Sequence, residues 1–237
     1  MKRVVCFIAI FCIFALSFCV KAISTSAKSA ILINADTGEV IYSQNANEKL
    51  PMASTTKIMT ALLLCEEGNM EKEITVTPEM VRVEGTSMGL LGGDKVSFKA
   101  LLYGMLLASG NDAANVTAYA LGGTVDGFVN MMNKKAKELG LNNTHFETPS
   151  GLDGDEHYTT AEDLAKLAKV CMDNPLFKEA ASTKAITLEY GNPPYRRTLT
   201  NHNKLLKTFE GAVGVKTGFT KKAGRCLVSC AEREGKR

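Results

Sequence analysis

Histidine is scarce in this sequence, and charge of one sign is nowhere in surplus once the N-terminus is set aside. Only His145, His157 and His202 occur in 237 residues. They are dispersed and form no metal-ligating cluster, so neither a resident metal nor a cofactor is expected. The 28 basic residues exceed the 25 acidic ones by three, and Lys2, Arg3 and Lys21 supply that excess. The rest of the chain is neutral and lacks the basic face that nucleic-acid binding needs. Cysteine spacing offers no metal motif either. Cys6, Cys12 and Cys19 lie in the N-terminal run, and Cys65, Cys171, Cys226 and Cys230 are scattered. Cys65 and Cys171 fall in apolar helical patterns, where a free cysteine packs as a small hydrophobe, so no required disulfide is expected. Repeats and low-complexity linkers are missing. A hydrophobic share of 45% and a charged share of 22% exclude wholesale disorder.

What is present begins with an uncharged stretch, Val4 to Val20, preceded by Lys2 and Arg3 and followed by Val20-Lys21-Ala22. That layout predicts a secretory signal peptide over 1–22, and hence an exported protein. A retained anchor and a lipoprotein signal at Leu16-Ser17-Phe18-Cys19 are the alternatives. The apolar run is slightly short for a comfortable spanning helix.

Beyond it, Ala30–Ile33 and Val40–Tyr42 flank Asp36-Thr37-Gly38 and read as a hairpin. Helical spacing over 54–67 stops at Gly68, and a glycine-rich loop follows over 85–93. Further helices are expected over 98–107, from Asp112 to Leu121, and over 124–139. Thr159-Thr160-Ala161-Glu162 reads as a capping box for a helix that runs through Met172 and closes before Pro175. Residues 185–189, 214–217 and 225–231 are β-prone. Strands at both ends with helices between them predict an α+β domain over 23–237, with one antiparallel sheet joining the first hairpin to the last strands.

Three short motifs could carry chemistry. In Ser54-Thr55-Thr56-Lys57, a helix starting at Ser54 puts Lys57 one turn further on the same face, within reach of the hydroxyl. The plain alternative is an N-cap serine followed by a surface lysine. A cation in a first turn opposes the helix dipole, however, so Lys57 is poorly placed for stability alone. Dipole and burial together would lower its pKa, as a lysine must have to deprotonate serine. Ser109-Gly110-Asn111 lies between two predicted helices, and read alone it is equally a turn. Lys216-Thr217-Gly218 ends a β-prone stretch. Its glycine would let a substrate backbone lie close, and its lysine and threonine suit a carboxylate; the alternative is an edge-strand lysine before a turn.

Ser-x-x-Lys, Ser-x-Asn and Lys-Thr-Gly in that order resemble the signature of penicillin-binding proteins and serine β-lactamases. The stretches 51–60, 107–114 and 214–220, together with 139–146, 151–153 and 200–206, are similar to low-molecular-weight D-alanyl-D-alanine carboxypeptidases. The resemblance implies a penicillin-binding-protein fold with a helical subdomain between N- and C-terminal strands. It implies that Ser54 is the nucleophile, Lys57 its base and Ser109 a proton carrier to the leaving D-alanine. Asn111, Lys216, Thr217 and Gly218 would bind substrate, and the N–H groups of Ser54 and Phe219 would form the oxyanion hole. The implied substrates are peptidoglycan stem peptides, and the implied covalent inhibitors are β-lactams. A cross-link endopeptidase, a β-lactamase and a β-lactam sensor are the competing readings.

Some positions depart from that pattern. Phe219 stands where some relatives have histidine. His202 stands where some have an arginine near the carboxylate, and it is either a carboxylate ligand or a loop residue. Glu138-Leu139-Gly140-Leu141-Asn142 mimics a β-lactamase glutamate motif, but its surroundings match the carboxypeptidases, so Glu138 is expected on the solvated surface. Relatives continue past the last predicted strand with another strand and helix, a β-rich domain and an amphipathic membrane-binding helix. On that basis the sequence reads as a catalytic domain incomplete at its C-terminus. Any membrane attachment would come through a segment not included here.

Overall fold

The computed structural model describes residues 25–237; the predicted signal peptide lies outside them. Strands β1 (Ala30–Ile33) and β2 (Val40–Gln44) form the first antiparallel hairpin. A 3₁₀ turn, Ala53–Thr56, leads directly into helix α1 (Lys57–Glu67). The short ladder of β3 (Glu73–Thr75) and β4 (Lys95–Ser97) then brackets the glycine-rich loop. Helices α2 (Phe98–Leu106), α3 (Asn111–Gly122) and α4 (Val125–Glu138) follow. After a long loop come α5 (Ala161–Asp173) and α6 (Pro175–Ser182). The hairpin of β5 (Ala185–Gly191) and β6 (Pro194–Thr200) precedes a single turn, α7 (Leu205–Thr208). The described chain closes with the long hairpin of β7 (Ala212–Thr220) and β8 (Gly224–Ala231).

Helix α1 is the axis of the core. Every residue from Lys57 to Cys65 is buried, and α2 to α6 all pack against it. A helix apolar on all sides has to be surrounded in this way. Its end is set by Gly68, whose φ of +79° is a left-handed conformation that glycine adopts without a Cβ penalty. Cys65 and Cys171 lie buried in this core as unpaired thiols, and burial pushes the Cys65 thiol up to about 12. They pack as the sequence predicts.

Four details differ from the sequence reading. The start of the 54–67 helix is a 3₁₀ turn, which tightens the backbone at Ser54. The cap of α5 is Thr160, whose hydroxyl accepts from Asp163 N at 3.1 Å, and not the box starting at Thr159. Pro175 does not merely end α5. It occupies the first turn of α6, where its missing N–H costs nothing, and the Asn174 side chain accepts from Leu176 N and Phe177 N. The expected single sheet is also divided: among the described residues β1–β2 and β7–β8 are separate two-stranded ladders. Each satisfies its inner backbone groups within itself. Both pack on α5, and Ala35 N–H donates to the Arg237 carbonyl at 2.7 Å. The α+β arrangement itself is as expected.

Candidate active site

The site forms where β7 crosses the 3₁₀ turn at the head of α1. Gly218 makes that crossing possible. A β-carbon there would lie 2.9 Å from Ser54 N, 3.1 Å from Thr55 N and 3.2 Å from the Ala53 β-carbon. Strand and turn therefore touch backbone to backbone, with no room for a side chain. Two non-glycine residues beside the site have left-handed backbone, Ala53 (φ +48°) and Ser109 (φ +59°). Such conformations cost about 1–3 kcal/mol each and persist only where surrounding bonds impose them.

Lys57 is fully buried. Its Nζ lies 2.6 Å from Asn111 Oδ1, 2.6 Å from the Ser150 carbonyl and 3.0 Å from Ser54 Oγ. Burial first, and the Lys216 charge second, hold its pKa well below the usual lysine range, against a smaller opposing effect of Asp112. A neutral amine has two hydrogens and one lone pair. In that neutral form Asn111 and Ser150, which offer it only acceptors, would take the hydrogens and leave the lone pair facing the Ser54 hydroxyl. Ser54 O–H can then donate to Lys57 Nζ, the arrangement proton abstraction requires.

On the opposite wall, Lys216 is equally buried, and its Nζ donates to Ser109 Oγ at 2.9 Å and to the Thr217 carbonyl at 2.7 Å. Burial lowers its pKa to about 7. Two lysines thus each lie beside one serine hydroxyl, and Asn111, two residues from Ser109, bonds to Lys57.

The middle motif is held by bonds that no residue pattern announces. Asn111 Nδ2 donates to the Glu84 carbonyl at 2.6 Å while its Oδ1 accepts from Lys57. Both ends of the amide are engaged, so Asn111 orients Lys57. Thr86 Oγ1 donates to the Ser109 carbonyl, and Asn111 N–H donates to the Thr86 carbonyl. Behind them the Asp112 carboxylate accepts from Ser87 Oγ and from the N–H groups of Met88, Gly89, Leu90 and Ala113, at 2.6–3.0 Å. This fastens the glycine-rich loop to the start of α3. Tyr190 Oη, Tyr195 Oη and Arg197 Nη1 on β5–β6 donate to the Met88 and Gly89 carbonyls and grip the loop from outside.

Of the predicted site residues, Lys57 bonds to Ser54 and Asn111, Lys216 bonds to Ser109, and Gly218 packs on Ser54 N. Phe219 is 65% exposed at the end of β7, so its side chain packs against nothing that would fix it. His202 is exposed at the rim. Partial burial, then Lys216, lower its pKa. Its neighbours Asn201 and Asn203 are buried. Asn201 Nδ2 donates to the Ala181 and Thr183 carbonyls, and Asn203 Nδ2 to the Gly214 carbonyl, which ties α6 to β7 beneath Lys216. Glu138 is solvated and paired with Lys134 and Lys135, so the β-lactamase-like motif is empty of chemistry. Among the described residues no group of three or more His, Cys, Asp or Glu side chains could hold a metal. Sequence reasoning missed Ser150, Glu84 and Thr86, which act through backbone or through a loop, and His157, treated below.

A serine hydroxyl against a buried lysine of lowered pKa, with a second hydrogen-bonded serine–lysine pair, is the arrangement of Ser–Lys acyl-transfer enzymes. The profile of the D-alanyl-D-alanine carboxypeptidase peptidase family matches residues 17–237, and the chain belongs to that family. It is 40% identical over 212 residues to the D-alanyl-D-alanine carboxypeptidase DacF of Bacillus subtilis, a match covering 87% of this chain and 54% of that protein. The chain thus spans about half the length of that relative. The crystal structure of the DD-transpeptidase of Streptomyces strain K15 superposes with a TM-score of 0.87 at 35% identity, covering 92% of this chain and 89% of that one. The D-alanyl-D-alanine carboxypeptidase of Mycobacterium tuberculosis also superposes at 0.87, with 33% identity and 93% and 83% coverage. The fold is that of the DD-peptidases.

Proposed function

We propose that this chain is the catalytic domain of an exported serine-type D-alanyl-D-alanine carboxypeptidase that trims peptidoglycan stem peptides. One observation carries the reading: Lys57 Nζ lies 3.0 Å from Ser54 Oγ and Lys216 Nζ 2.9 Å from Ser109 Oγ, and Asn111, two residues from Ser109, reaches Lys57 Nζ at 2.6 Å. Lys57 takes the Ser54 proton as Ser54 Oγ attacks the carbonyl carbon between the two terminal D-alanines. The Ser54 and Phe219 N–H groups receive the developing oxyanion, an interaction worth about 3–4 kcal/mol per donor in acyl transfer. As the C–N bond breaks, Ser109 gives its proton to the departing D-alanine amine and regains one from the lysines flanking it. Lys216, Thr217 and the rim at His202 bind the terminal carboxylate, while Asn111 holds Lys57 in place and keeps an Oδ1 lone pair for the penultimate amide. Water then releases the shortened peptide from Ser54. A β-lactam would acylate the same oxygen and leave slowly.

Export rests on Lys2, Arg3 and the uncharged run that follows them. The test is D-alanine release from diacetyl-Lys-D-Ala-D-Ala. Release by the wild-type chain and none from Ser54→Ala supports the proposal. Rapid turnover of penicillin without D-alanine release would make the chain a β-lactamase, and covalent labelling with neither turnover would make it a sensor.

A further inference from the structure

We propose that His157 is a positioning residue for the oxyanion hole, holding the Ala53–Ser54 peptide plane through Thr56. This rests on the Ser54 N–H serving as an oxyanion donor, as proposed above.

The observation is a buried relay of single hydrogen bonds. Glu147 N–H donates to His157 Nδ1 at 2.9 Å. A backbone N–H can only donate, so Nδ1 is the bare nitrogen and the ring proton sits on Nε2. His157 Nε2 lies 2.8 Å from Thr56 Oγ1, and Thr56 Oγ1 donates to the Ala53 carbonyl at 2.8 Å. The threonine has one hydrogen and spends it on Ala53, so it must accept from Nε2–H. Every donor and acceptor in the relay is assigned in one direction only. His157 is 3% exposed and Thr56 1% exposed, so water does not compete for these groups. Burial also lowers the imidazole pKa to about 4, which keeps the ring neutral and the tautomer intact at ordinary pH.

The end of the relay matters because a peptide is planar and trans. The Ala53 carbonyl and the Ser54 N–H share one plane and point in opposite directions. Pulling the carbonyl toward Thr56 turns the N–H away from it, toward the side where Gly218 passes. Ala53 needs such a tether, since its backbone is left-handed without being glycine. The 147–157 loop reinforces the hold at three more points. Thr60 Oγ1 donates to the Pro149 carbonyl at 2.6 Å, and the Ser150 carbonyl accepts from Lys57. Gly151 presses on the Ala53 carbonyl so closely that any β-carbon there would overlap it. A histidine some hundred residues away in sequence therefore sets the direction of a backbone donor beside the nucleophile.

The test compares His157→Leu, His157→Gln and Thr56→Val with the wild-type chain. Glutamine can accept from Glu147 N–H and donate to Thr56, whereas leucine can do neither. The acylation rate constant for a labelled penicillin should fall on the order of tenfold to a hundredfold in His157→Leu and Thr56→Val. The non-covalent dissociation constant should change little, and His157→Gln should recover most of the loss. Thr56→Val keeps the side-chain shape, so it remains informative if His157→Leu folds poorly. A folded Thr56→Val variant acylating at the wild-type rate, or His157→Gln as impaired as the leucine variant, overturns the proposal. A second readout needs no activity. Imidazole ¹⁵N spectra should show the Nε2–H tautomer, and amide exchange at Ser54 should quicken in Thr56→Val. An Nδ1–H tautomer or unchanged exchange refutes the relay even if the chain proves inactive, an outcome that would count instead against the Ser54 reading.

Discussion

Gly218→Ala probes the crossing of β7 over the catalytic turn with one methyl group. The new carbon would stand 2.9 Å from Ser54 N and 3.1 Å from Thr55 N, where ordinary contact begins at 3.4 Å. Both neighbours are backbone, so no side chain can swing aside. Strand and turn must part by about half an ångström. Gly218 has no left-handed φ to lose, so the penalty is steric alone. Overpacking of this kind costs about 1–3 kcal/mol of stability. The functional loss should be larger than that implies, because the two proposed oxyanion donors, Ser54 N–H and Phe219 N–H, lie on the two parts being separated. Loss of one such donor costs on the order of 10²–10³ in rate. The assay is stopped-flow acylation by a fluorescent penicillin, with chemical denaturation in parallel. A folded Gly218→Ala chain that acylates at the wild-type rate would refute this packing argument.

Four further outcomes follow from the same geometry. D-Alanine release should decline as pH rises past about 7, because Lys216 loses its charge there and with it the carboxylate partner. The stability effect has the opposite sense: the folded pKa lies below the 10.5 of a free lysine, so the unfolded chain binds the extra proton between those values. Stability should therefore increase from pH 7 towards 10.5, by up to about 1.4 kcal/mol per unit, and denaturation of Lys216→Met should lack that increment. Asp112→Ala removes a buried acceptor of five donors. With bonds to charged groups worth about 1.5–3 kcal/mol each, it should lose at least ~3 kcal/mol in denaturant melts, and Asp112→Asn less. A loss below ~0.5 kcal/mol for Asp112→Ala would show that the glycine-rich loop is held by β5–β6 alone. Thr160→Ala should cost about 1 kcal/mol by the same measurement, as expected for the residue that caps α5.

What the sequence made legible was local. Ser54 and Lys57 meet because one helical turn separates them, and Gly68 and the cap region of α5 could be placed from residue type. Their meeting with Ser109 and Lys216 was reached through resemblance, since no spacing rule brings residue 216 to residue 109. The groups that tune Lys57 and orient Ser54 were hidden for a different reason. The carbonyls of Ser150, Glu84 and Ala53 belong to the backbone and carry no residue signature. His157 gave no signal because its partner on one side is a main-chain N–H. The helix expected to close before Pro175 does so, but Pro175 also opens α6, a helix the sequence reading did not include; β6, which starts at Pro194, was likewise not anticipated. The single sheet was an inference from strand order; among the described residues the terminal hairpins are separate ladders that both pack on α5, and Ala35 N–H bonds to the Arg237 carbonyl.

The central claim is that one nucleophile is armed by the convergence of these side chains. Incubating the chain with benzylpenicillin, digesting it and sequencing the modified peptide by mass spectrometry tests it directly. A single penicilloyl group on Ser54, absent from Ser54→Ala and strongly reduced in Lys57→Ala, is the predicted result. An adduct on any other residue, or equal labelling of Lys57→Ala, would contradict it.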